Sequence, residues 1–194
     1  GSSKGTQSEE GGCISGAIAS ATIRILGGTV MGGYSPKHGG NIYLASGSTM
    51  VMSGAVGMKN NTATVPGGAI DVTLSKEVYS KLTVTGGVFE NNSAPSGGAV
   101  YVRTGSEAAF NGSKFQSNHA TDENTGNAKD VGGGAIYVHS TGKLTLTGVT
   151  MTGNTSGNYG GAVMINGGSL TMDGQKLVQT KPFRFSPGEN PILR

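Results

Sequence analysis

Tryptophan is absent from this 194-residue chain, cysteine occurs once, and charged residues make up only 13% of it. Each shortage excludes something. A lone Cys13 rules out an intramolecular disulfide framework and any zinc site built on cysteines. The formal net charge is only +3, and the basic residues do not cluster. Binding of nucleic acid is therefore not expected. No apolar run is long enough to cross a bilayer, so membrane insertion of this segment is not expected either. A phosphate-binding loop is missing: Gly142-Lys143 is followed by Leu144, where that motif needs a hydroxyl residue. The first residues, Gly1 to Glu10, do not read as a signal peptide, and Gly1-Ser2 reads as a cleavage scar.

What the chain has instead is glycine, 36 residues of it, arranged with a period. Six glycine pairs, at Gly11, Gly39, Gly67, Gly97, Gly133 and Gly160, each open a short apolar strand. Their starts are 28, 28, 30, 36 and 27 residues apart. A fixed period of this size marks a repeat architecture. A second motif follows 18 to 22 residues after four of the pairs: an apolar residue, two variable residues, then Asn. It reads Met58-Lys-Asn-Asn61, Phe89-Glu-Asn-Asn92, Phe115-Gln-Ser-Asn118 and Met151-Thr-Gly-Asn154. The first coil is degenerate, with Met31-Gly-Gly-Tyr34. Between the motifs lie alternating segments such as Lys81-Leu-Thr-Val-Thr85 and Lys143-Leu-Thr-Leu-Thr147, the pattern of a strand buried on one face.

Three short strands per repeat, stacked coil on coil, make an all-β fold, a right-handed parallel β-helix (solenoid) of about six coils. At the normal strand spacing of about 4.8 Å, the coils build a prism roughly 30 Å long. Glycine permits the backbone angles of the corners, and Asn suits tight turns and left-handed positions. The second and fourth positions after each pair form inward ladders, Ile14, Ile42, Ile70, Val100, Ile136, Val163 and Gly16, Leu44, Val72, Val102, Val138, Ile165. Met31, Met58, Phe89, Phe115 and Met151 form another expected inward column, and Cys13 is expected to be a small buried hydrophobe. Residues 1–10 read as a polar linker or partial N-terminal cover, 11–175 as the β-helix, and 176–194, with three prolines, as a C-terminal cap or the start of a next segment.

Gly97-Gly-Ala-Val100 together with Phe89-Glu-Asn-Asn92 resembles the polymorphic outer-membrane-protein repeat of bacterial autotransporter passengers and large surface proteins. The run from Gly133 to Gly161 is also similar to glycine-rich β-helix repeats of wall-attached bacterial surface proteins. The resemblance covers about residues 11–175. It implies a right-handed parallel β-helix exposed on a cell surface, secreted or attached to the wall or outer membrane, and commonly an adhesin or its stalk.

Two coils depart from the period. Ser75 to Ser80 and His119 to Val131 read as insertions, which in repeat proteins map to loops on one face. Asp122, Asn124 and Asp130 supply oxygens, but Gly126 and the lack of a closing Glu break the calcium-loop pattern, so no metal is expected. The third position after each pair points out of the coil and reads Ser15, Tyr43, Asp71, Tyr101, Tyr137, Met164. The fifth, from the second pair onward, reads Ala45, Thr73, Arg103, His139, Asn166. Tyr43, Asp71, Tyr101, Arg103, Tyr137 and His139 are thus the candidate ligand-binding face, with tyrosine rings offered at coil spacing to a glycan or an extended surface protein. The expected function is non-catalytic adhesion, with a host or environmental glycan or surface protein as partner and no cofactor. Two alternatives stand beside it. One is a structural stalk. The other is a polysaccharide lyase or glycosidase, in which Arg103 neutralises a substrate carboxylate and His139 acts as base. A glycosidase would need a second acid beside Asp71, and these columns hold none. Glu77, Glu90 and Glu107 sit near turns or insertions and read as solvated charge.

Overall fold

A corner of the chain is built from each glycine pair, and the two glycines do different jobs. Gly97 has φ +59°, and a Cβ added there would lie 2.3 Å from the carbonyl oxygen of Val100. Gly98 faces the next coil, where a Cβ would lie 2.3 Å from the Gly134 oxygen and 2.6 Å from the His119 nitrogen. The first glycine turns the chain, and the second lets successive corners nest. Gly97 N–H donates to Gly132 and Gly98 N–H to Gly133, at 2.9 and 3.1 Å.

The computed structural model describes residues 12–16, 20–36, 38–75, 78–122, 131–174, 176–178 and 192–193. They form strands and turns, with no helix among them. Three parallel sheets make the walls of a solenoid of about five turns. The first sheet carries the strands that follow the glycine pairs, Ile14–Gly16, Ile42–Leu44, Ile70–Val72, Val100–Val102, Ile136–Val138 and Val163–Ile165, in chain order. These six strands are the six expected coils, and they bound about five full turns. The second sheet is the widest. Its longest strands are Thr49–Lys59 and Lys81–Glu90, and later coils split the same path in two, as in Lys143–Thr147 and Thr150–Thr152. The third sheet consists of two-residue strands, from Tyr34–Ser35 to Thr155–Ser156.

Alternation then fills the interior with one residue per coil per column. Ile42, Ile70, Val100 and Ile136 pair in register and are fully buried, as are Leu44, Val72, Val102 and Val138. Phe89 and Phe115 stack at 4.7 Å between ring centroids, and Phe110 meets both edge-on. Burial of such rings is the main favourable term holding coil to coil.

Asn61, Asn92, Asn118 and Asn154 form a fully buried ladder at the corner between the second and third sheets. Each side-chain oxygen accepts twice from the coil before it. Asn118 Oδ1 accepts from Asn92 N at 3.1 Å and Asn92 Nδ2 at 2.9 Å, and Asn154 Oδ1 accepts from Asn118 N and Nδ2 at 3.0 and 2.9 Å. The second amide hydrogen goes to a backbone oxygen, Met58 for Asn92 and Phe89 for Asn118. Asn was expected to serve tight turns, and the preceding residues do so, with Asn60 and Asn91 at φ +54° and +53°. The motif Asn is instead an interior hydrogen-bond column.

The first coil corrects two expectations. Val30, not Met31, pairs with Met58, so Met31 turns outward and is half exposed. Cys13 is exposed; it precedes Ile14–Gly16, the edge strand of the first sheet among the described residues. Gly33 stands where the ladder would have its next Asn, and Asn41 reaches in to donate to Asn61 instead. A Cβ on Gly33 would collide with that Asn41 side chain, 1.9 Å from its Oδ1.

The insertions also narrow. Ser80 is buried and belongs to the regular wall, and the extra residues fold as a hairpin in which Leu74–Ser75 pairs with Val78–Tyr79. His119 and Ala120 pair with Ser93 and Ala94 as ordinary third-sheet residues. Asn124, Gly126 and Asp130 of the longer insertion, Glu77, and residues 1–10 lie outside the described residues. At the far end, Lys176–Val178 continues the second sheet in register with Thr150–Thr152, past the expected boundary at 175.

Candidate functional site

Tyr43, Asp71, Tyr101, Tyr137 and Met164 stand in register on the first sheet, facing away from the apolar interior. That much follows from alternation. They were expected to meet solvent, and they do not. Asp71 and Tyr137 are fully buried, and Tyr43, Tyr101 and Met164 are 8% exposed or less.

Their contacts show a packed outer cluster. The Tyr101 and Tyr137 rings lie parallel, 5.0 Å apart. His139 flanks both at 6.5 Å, with its Nδ1 3.0 Å from Thr104 Oγ1. Asn166 donates to the Tyr137 hydroxyl at 2.9 Å. His38 stacks on Tyr43 at 4.6 Å. Arg103 donates from Nε and Nη2 to the two Asp71 oxygens at 3.1 and 3.2 Å, and its guanidinium lies 4.9 Å from the Tyr101 ring centre. Burial opposes the charge on Arg103, but the Asp71 carboxylate and its hydrogen bonds prevail and hold the guanidinium pKa above its ordinary value. His38 Nδ1 lies 3.5 Å from Asp71 Oδ2. The six expected site residues are therefore brought together, but as mutually satisfied, largely buried groups. The charge and ring faces that a ligand would use are engaged within the protein.

The accessible relief lies at the corner between the first and second sheets, beside the hairpin. Tyr79 there is 54% exposed. Its ring sits over Gly105, where an added Cβ would approach Cε1 to 2.1 Å. A depression of about 520 Å³ opens between Tyr79 and the second-sheet wall. Its floor carries a row of charge in coil register, Lys81, Glu107 and Lys143. Glu107 gives one oxygen to each lysine, at 3.2 Å to Lys81 and 3.0 Å to Lys143. These two bonds, Lys143 first, hold its carboxyl below the usual range. Sequence reasoning noticed the insertion but not that it seats an exposed ring above this row. The missed signal was Val78-Tyr79, two apolar residues inside an insertion, which pair with Leu74–Ser75 of their own coil. Among the described residues, no group of three or more His, Cys, Asp or Glu could hold a metal ion, and no helix is long and apolar enough to cross a membrane.

Residues 86–103 match the family model of the Chlamydia polymorphic membrane protein repeat. The matched stretch contains the second-sheet strand end, the ladder Asn92, the glycine corner and the first-sheet strand up to Arg103. Over that stretch the chain is similar to a repeat of the polymorphic-membrane-protein type. Set on a parallel solenoid, that repeat points to a β-helix domain of a surface protein. No curated protein and no solved structure gave a significant match.

Proposed function

We propose that this chain is a non-catalytic adhesion segment of a bacterial surface protein, located at the cell surface or outer membrane. Its partner is a host or environmental glycan or surface protein, met by the outside of the coil. The observation that carries this reading is the repeat match on a solenoid whose interior is filled by side chains from coil to coil. Such a rod has only its outer walls and insertions to offer a partner. The non-catalytic part rests on geometry. Asp71 is fully buried and held by Arg103, so its carboxylate is withdrawn from a substrate as acid or base.

Binding of the purified chain to a broad glycan and mucin array tests the adhesion reading. Specific binding supports it, and a blank array moves the reading to a protein partner or a stalk. Incubation with a panel of polysaccharides tests the rest, because release of reducing or unsaturated ends that depends on Arg103 would sink the non-catalytic assignment.

A further inference from the structure

We infer that the depression under Tyr79 is a subsite for one anionic sugar ring, a pyranose carrying a carboxylate or sulfate. The inference rests on the adhesion reading and names its ligand class and its place. Three features of the depression converge on that chemistry.

The first is a flat apolar surface at the rim. The Tyr79 ring is half exposed and seated on Gly105, so its position is set by backbone contact rather than by chance side-chain packing. An aromatic face held this way accepts the apolar face of a sugar. The second is the balance of free polar groups. Both Glu107 oxygens are engaged by lysines, while each ammonium uses one of its three hydrogens there. Lys81 and Lys143 against Glu107 leave the floor with an excess of one positive charge. The remaining polarity is therefore donor-rich and cationic, which selects an acceptor-rich, anionic ligand over a neutral one.

The third feature is a hydroxyl. Thr141 lines the depression at φ +57°, a left-handed backbone that β-branched residues seldom adopt. The coil before it holds Gly105 at the matching place, at φ +72°. The strained backbone thus carries a hydroxyl into the depression where glycine would sit relaxed.

The test is a calorimetric titration of the full chain at low salt with galacturonate oligomers, sulfated galactose oligomers and neutral galactose oligomers. Binding of an acidic series over the neutral one is expected, weakening as salt rises. Tyr79→Ala should weaken it by about tenfold. Lys81→Ala combined with Lys143→Ala should abolish the preference for acid over neutral. All three residues are largely exposed, so the variants should keep the parent melting temperature, measured alongside. The two acidic arms tell carboxylate from sulfate. Equal binding of acidic and neutral oligomers, acidic binding that Tyr79→Ala leaves unchanged, or no acidic binding at millimolar ligand would each overturn the inference. In the last case, another glycan that binds on the array preserves the adhesion reading, and a blank array removes the glycan form of it too.

Discussion

The asparagine column inside the corner and the lysine–glutamate row on the outer wall are both polar, and both step in register from coil to coil. Asn61, Asn92, Asn118 and Asn154 are fully buried; the amides of the first three bond to the next coil, and those of the last three to a backbone oxygen. Lys81 and Lys143 are more than half exposed, and their bonds to Glu107 compete with water and salt. Repetition is the same in both, but burial decides what a repeated polar group contributes. In the dry corner a missing partner leaves a donor without water, while on the wall water replaces it.

The largest break of this contrast comes from the coil spacing on which both rows depend. Gly98→Ala would force backbone apart at the Gly134 oxygen and the His119 nitrogen. It should cost about 4 kcal/mol or prevent folding outright, seen as loss of the cooperative urea transition. Asn92→Leu attacks the interior column directly. It strips the acceptor from Asn61 N and Nδ2, and a loss of about 3 kcal/mol in urea denaturation is expected. A loss under half a kilocalorie would mean the ladder contributes no more than a surface pair.

Arg103→Ala falls between the two cases. It leaves the buried Asp71 carboxylate without its guanidinium partner, with His38 Nδ1 3.5 Å from Oδ2. Removing one partner of a buried pair is strongly destabilising, and the partial exposure of Arg103 itself reduces the effect to about 2 kcal/mol. Glu107→Gln sharpens the comparison from the weak side and should change stability by less than about 1 kcal/mol. Its pH dependence has a definite sign. The folded carboxyl lies below its unfolded value, so the pairing stabilises above that unfolded value and is lost as pH falls through the folded one. Melting curves of parent and variant should therefore differ slightly at neutral pH and low salt, and converge once pH falls below the folded value or in high salt.

Much of the fold was legible because its causes are local. A glycine pair that turns the chain, three residues of β-branched strand and a motif Asn recur at one period, and each repeat makes the same corner. The site was less legible. Alternation correctly turned Tyr101 and Tyr137 out of the interior, yet it says nothing of what lies over the outer side of a wall. The rings are covered in the folded chain, with Arg103, His139 and Asn166 packed around them. Tyr79 was passed over because an insertion has no column, and columns were the source of every other assignment. The first coil misled for a related reason: with no motif Asn to fix the register, Met31 took the place in the pattern that Val30 holds in the structure.

The sequence by itself determined the path of the chain, since corner and strand are set by backbone angles and side-chain alternation within a few residues. Only the tertiary structure decided which polar groups are dry and which surface is open. Burial belongs to the stacked coils together, and the same Asn, Tyr or Glu has a different value depending on what is packed against it.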